Sequence, residues 1–202
     1  MQGRRDEAAA GYRRQLALME AYHGQHHLYL LHPLVGLGKV GLAAGAVDSA
    51  TAEFRRAVAI GEQLGTTHSM YAEALVGLAE CVVATDIAEA RSLLARAIAV
   101  YEADGGPKNP AIVPVAVRAG QLAVAAKDVL AARQWLERVL ADTTGSKGQG
   151  PSRSRAALEL ADLLLAAGER QRACSLLSDA RTGFTGDMQT TELAALEAAC
   201  AP

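Results

Sequence analysis

From Leu34 the chain reads Leu-Val-Gly-Leu-Gly-Lys-Val-Gly-Leu-Ala-Ala-Gly, and this apolar stretch returns three times at a spacing of 41 residues. Val35, Val76, Val117 and Leu158 share one register; Leu37, Leu78, Ala119 and Leu160 share a second; Leu42, Val83, Val124 and Leu165 share a third. Small residues hold a fourth: Gly38, Ala79, Gly120 and Ala161. Self-similarity at such a period marks a repeat array. Between the copies runs another set. Ala50, Ala90, Ala132 and Ala173 lead it, Phe54, Leu94, Leu136 and Leu177 follow, and Ala57, Ala97, Val139 and Ala180 come after them. Within every copy the spacing is i, i+4, i+7, which is one face of a helix. Each repeat therefore predicts two helices.

The first helices are expected over Tyr29–Ala44, Met70–Ala84, Ala111–Ala126 and Arg153–Ala167, and their partners over Val47–Leu64, Ile87–Ala103, Leu130–Asp142 and Arg170–Thr182. Gly24, Gly65 and Gly106 recur where second helices end, glycine being the residue that tolerates the positive φ found there. The opening helix, Arg5–His23, matches a second helix, with Ala8 and Tyr12 in the places of Ala50 and Phe54. The chain is thus expected to start in mid-repeat. Thr143–Ser152, rich in Gly and Ser, predicts a mobile loop that leaves the period unbroken. A last short helix, Thr190–Cys200, is expected to cover the end of the stack. The result is one all-α domain over 1–202, with a half-repeat at 5–24, repeats at about 28–65, 69–105, 110–142 and 152–183, and a cap at 190–200.

Composition narrows the chemistry. Half of the residues are hydrophobic but only 4% are aromatic, so the core must be built from Ala, Leu and Val, which suits closely packed helices. With 20 Lys and Arg against 22 Asp and Glu, a net charge of -2 gives no general attraction to nucleic acid or to an anionic membrane. No apolar run approaches the roughly 20 residues of a membrane helix, and the N-terminus lacks an apolar signal segment. Cys81, Cys174 and Cys200 lie in apolar helical patterns without a CxxC pair, so neither a disulfide framework nor a zinc site is indicated. A reducing, cytoplasmic setting is expected.

Three features invite chemistry and fail to hold it. Gly36-Leu-Gly38-Lys-Val-Gly41 spells a phosphate-loop motif, but the register maps its glycines onto mid-helix positions in every copy. Close helix packing accounts for Gly38 and Gly120, whereas Gly36 and Gly41 each cost roughly 1 kcal/mol of helix propensity with no visible return. The first hairpin is therefore expected to be the softest. His23 and His27 have metal-ligand spacing, yet Gly24 interrupts the helix between them and His27 aligns with His68 and Asn109 in turns, so capping is the better account. Trp135, beside Leu136 and Val139, is expected to be buried or half-buried. No acid and base pair, nucleophile elbow or triad spacing appears. No cofactor or metal is expected, and no catalysis.

The pattern Leu37-Gly38, Gly45, Ala50, Phe54 and Ala57 resembles the tetratricopeptide repeat (TPR). The linker Ala59 to His68, with Leu64-Gly65-Thr-Thr-His68, is similar to that of kinesin-light-chain-type repeats of about 42 residues, although proline follows only Asn109 and Gly150. The Ala-rich ending, Leu158 to Phe184, is also similar to repeats found C-terminal to bacterial eukaryotic-type serine/threonine kinases. The resemblance implies a right-handed superhelix, an α-solenoid of antiparallel hairpins whose first helices line a concave groove. It implies protein or peptide binding. The alternatives are a regulatory or dimerisation segment of a larger kinase, a small-molecule sensor, and self-association through terminal repeats. On that basis the groove is expected to hold an apolar stripe of Val35, Val76, Val117 and Leu158, with His32, Glu73 and Arg155 nearby. A second row of Lys39, Glu80, Gln121 and Asp162, flanked by Arg118 and Glu159, would border the stripe and suit a short amphipathic segment.

Overall fold

The computed structural model describes residues 2–143, 150–180 and 187–200. These are helical, with short connections and no strand among them. The helices, named in chain order, are α1 (Gln2–His23), α2 (Leu31–Ala43), α3 (Val47–Leu64), α4 (Ser69–Val82), α5 (Ile87–Gly105), α6 (Ile112–Ala125), α7 (Val129–Asp142), α8 (Gly150–Ala166), α9 (Arg170–Ala180) and α10 (Asp187–Ala199). The chain forms two units, Met1–Asn109 and Pro110–Pro202.

In the first unit α2 pairs with α3 and α4 with α5, while α1 packs on α2 and α3 on α4. The hairpins close because large side chains enter notches left by small ones. Phe54 of α3 is fully buried, and a β-carbon placed on Gly38 of α2 would stand 2.6 Å from its ring, one on Gly77 of α4 only 2.2 Å. Tyr12 of α1 sits in the same way over Gly36, and Tyr71 of α4 over Gly61 of α3, with β-carbon distances of 2.5 and 2.3 Å. Gly36 and Gly41 therefore do have a return for their helix cost, contrary to the sequence expectation: Gly36 admits the Tyr12 ring, and Gly41 packs 3.1 Å from Ala50.

The expected turn chemistry is present. Gly24 and Gly65 take positive φ, and His27 and His68 accept the Tyr29 and Met70 N–H groups through Nδ1 at 3.2 and 3.1 Å. Asp86 caps α5 by accepting from the Glu89 N–H at 2.8 Å. At the far end of α5 the Asn109 side chain donates to the Tyr101 carbonyl, approaching where a β-carbon on Gly105 would block it.

Tyr101 itself is buried, and its hydroxyl is pushed up to about 12, first by burial and then by the Glu73 and Asp104 carboxylates. A folded-state value above the ordinary 10.0 means that its contribution to stability is whole below pH 10 and is lost as pH rises towards 12. The loss should reach about 2 kcal/mol in the first unit. Tyr101→Phe should flatten this alkaline fall in urea titrations taken at successive pH values; an unchanged slope would refute the assignment.

In the second unit α6 pairs with α7 and α8 with α9, α7 packs on α8, and α10 lies on α8 and α9. Leu136, fully buried, meets Gly120 at a β-carbon distance of 2.8 Å, the counterpart of Phe54 over Gly38. Asp128 caps α7 through the Ala131 N–H, and Lys127 takes the left-handed conformation that Gly45 and Gly168 hold at the same turn. Trp135 is half-buried, with the Arg138 guanidinium 6.0 Å from its ring centroid. Helix α8 begins at Gly150 rather than Arg153, since proline at position 151 fits a first helical turn. The rest of the expected loop, 144–149, and the last two residues of the helix expected over Arg170–Thr182 lie outside the described residues.

The cysteine expectation is overturned. Cys174 of α9 and Cys200, just beyond α10, form a disulfide with a Cα–Cα distance of 5.7 Å, while Cys81 is free and buried. The pairing arises because α10 folds back on α9, which no local spacing signals. It also removes the cysteine argument for a reducing compartment.

Candidate functional site

First helices lie side by side within each unit, α2 against α4 and α6 against α8. This places the expected groove residues on shared faces, but not all at the surface. Val35, Val117 and Leu158 are 2%, 8% and 3% exposed, and only Val76 is half-buried. The apolar stripe thus lies mostly under the surface, in the packing around each first helix. The physical reason is close approach: notches such as Gly36 and Gly38 draw the neighbouring helices in until the next residue of the row is covered.

The polar row stays at the surface. Lys39 and Glu80 are exposed in the first unit, Asp162 is exposed and Gln121 half-buried in the second. Lys39 of α2 pairs with Glu73 of α4. His32 is exposed and meets the Tyr12 ring edge-on at 5.8 Å. In the second unit Gln121 donates to Glu159 at 3.4 Å, and Arg155 pairs with Glu159 at 2.7 Å. Arg118 is half-buried on α6.

Four of these residues meet in one cleft. Arg155, Leu158, Glu159 and Asp162 of α8, with Ala195 and Leu196 of α10, line a space of about 310 Å³. Sequence reading did not find the α10 wall. The 41-residue register carries Leu158 to Ala199 and gives no hint that Ala195 and Leu196 face α8.

The second helices carry a ladder of ion pairs that sequence reading also missed. Arg56 of α3 pairs with Glu20 of α1, and Arg96 of α5 pairs with Glu62 of α3, the same two positions one repeat on. In the second unit Arg133 of α7 reaches Glu169 at 2.6 Å, and Arg172 of α9 reaches Glu137 at 2.8 Å. Arg133 holds the Glu169 carboxyl below its usual range. Such surface pairs fix register more than they stabilise. Among the described residues no group of three or more His, Cys, Asp and Glu side chains could hold a metal ion. His23 and His27 instead stack ring on ring at 4.3 Å.

Hairpins of this kind, stacked first helix to first helix within each unit, define a helical repeat protein. More narrowly, the chain is an array of the tetratricopeptide type. A Podosopora anserina protein described as kinesin light chain with nearly identical TPR-like repeats is similar over 90% of this chain and 87% of its own, at 25% identity and a TM-score of 0.70. BtubC (BKLC) from P. vanneervenii covers 96% of this chain and 84% of its own at 14% identity and a TM-score of 0.72. MamA covers 90% of each at 18% identity and a TM-score of 0.65. No family model matches the chain, and no curated protein sequence matches it.

Proposed function

We propose that the chain is a non-catalytic scaffold that binds a protein or peptide segment on its first-helix faces, with the α8–α10 cleft as the main contact. The observation that carries this is the composition of that cleft: an apolar floor of Leu158 and Leu196 under a rim of Arg155, Glu159 and Asp162. Arg155 is already paired with Glu159, so Asp162, exposed at the rim, is the group that would meet a basic residue of the ligand. A short amphipathic segment with an apolar anchor and a Lys or Arg fits this arrangement. The resemblance to TPR arrays supports it, because such repeats generally act as interaction scaffolds rather than catalysts. No described helix is long and apolar enough to cross a membrane, and the net charge of -2 favours a protein ligand over nucleic acid.

Peptides selected by display on the immobilised chain provide the test. Asp162→Lys should weaken the selected peptides about tenfold, while leaving the helical circular dichroism signal intact. Glu80→Lys, on the first-helix face of the other unit, shows whether that unit shares the contact. Peptides that bind both variants as tightly as the parent chain would remove the first-helix face from consideration.

A further inference from the structure

The disulfide and the cleft share one helix. Cys174 belongs to α9, and Cys200 follows directly on α10, whose Ala195 and Leu196 form the wall that faces Leu158 of α8. The α8 side of the cleft is secured without that bond. It pairs with α9 through Leu158, Leu160 and Leu164 of the one helix and Ala173 and Leu177 of the other, all buried. The α10 side has less to hold it. Among its described side chains Leu193 is the one that is buried, Leu196 and Glu197 are half-buried, and Ala194, Ala195, Ala198 and Ala199 are exposed. With 13 residues α10 also lies in the range of about 12 to 15 below which a helix alone in water is marginal. Its fold and its place therefore depend on attachment, and the covalent part of that attachment is Cys174–Cys200.

A reductant can reach this bond. Thiol–disulfide exchange requires a thiolate to approach one of the two sulfur atoms, so access decides its rate. Cys174 and Cys200 are both half-buried, whereas the free Cys81 is buried in α4.

We propose that the Cys174–Cys200 disulfide is a redox latch on the α8–α10 cleft. The oxidised chain keeps the Ala195 and Leu196 wall in place and binds its ligand; a small or protein dithiol opens the bond, and the wall and the ligand are released together. The latch rests on the cleft being the ligand's main contact. In the exchange, a thiolate of the dithiol attacks one cysteine sulfur, and the S–S electron pair leaves on the other cysteine, which takes up a proton. The second thiol of the reductant, losing its proton, then displaces the first cysteine from the mixed disulfide. The chain gains two electrons and two protons as a pair of thiols, and the dithiol loses the same and becomes a disulfide.

Peptides selected by display on the oxidised chain are the probe, read by fluorescence anisotropy with the whole chain before and after dithiothreitol. Reduction should weaken them about tenfold, and reoxidation with glutathione disulfide should restore the affinity. Cys174→Ser with Cys200→Ser should bind as weakly as the reduced chain, and dithiothreitol should not change it further, which excludes an effect through Cys81. Hydrogen exchange gives a readout without ligand: the amides of α10 should exchange faster in the reduced chain and in the double variant, while those of α8 keep their protection. Peptides that Asp162→Lys weakens but reduction does not would overturn the latch and leave the cleft standing as the contact. Peptides that Asp162→Lys does not weaken sit elsewhere, and the latch falls with the cleft. Unchanged exchange in α10 on reduction overturns the latch whatever the peptides do.

Discussion

Phe54→Ala should destabilise the first unit by about 3 to 5 kcal/mol, enough to unfold many domains of this size. The ring is fully buried and is the one side chain that enters both Gly38 of α2 and Gly77 of α4, so its loss opens a void at the point where three helices meet. Neither glycine can refill that void, because neither has a side chain. The reciprocal change, Gly77→Ala, forces a methyl to within 2.2 Å of the ring position and should cost about 1 to 3 kcal/mol through overpacking. Combined, the two should cost less than their sum, since the alanine methyl enters space that the ring has left. Urea denaturation of the four species measures the coupling; strict additivity would mean that ring and notch do not act together.

The second large effect concerns the disulfide. Cys174 and Cys200 are 26 residues apart, and closing a loop of that length removes enough freedom from the unfolded chain to contribute about 3.5 kcal/mol. Reduction, or Cys174→Ser with Cys200→Ser, should therefore lower the unfolding temperature of the second unit and leave the first unit's Phe54 core unaffected. A thiol count identifies the bond directly. The denatured, unreduced chain should show a single reactive thiol, from Cys81, and three after reduction. Three thiols before reduction, or an unfolding temperature that reduction does not change, would refute the pairing.

Helix α3 ends where the pattern placed it, Val47 to Leu64, because a sharp amphipathic face runs into a glycine at Gly65 with positive φ. Signals of that kind are local: an apolar period, a cap, a turn residue. The candidate site was legible only in part for the same reason. Lys39, Glu80 and Asp162 are exposed, as the period of the helix implies, and Arg155, Leu158, Glu159 and Asp162 share one cleft. Val35 looked equally available, yet the approach of neighbouring helices covers it. How far a helix face stays open depends on the distance to the next helix, which glycine notches set and which no single helix reports.

By itself the sequence determined the period of 41 residues, the alternation of first and second helices, the turn positions and the TPR class, because each rests on residues close together in the chain. Only the tertiary structure decided which long-range partners meet. Glu20 with Arg56, Glu62 with Arg96, Cys174 with Cys200 and the Leu196 wall of the cleft all join different helices. Their encounter follows from how hairpins stack and where α10 folds back, and stacking is a property of shapes fitted together in space rather than of spacing along one strand of residues.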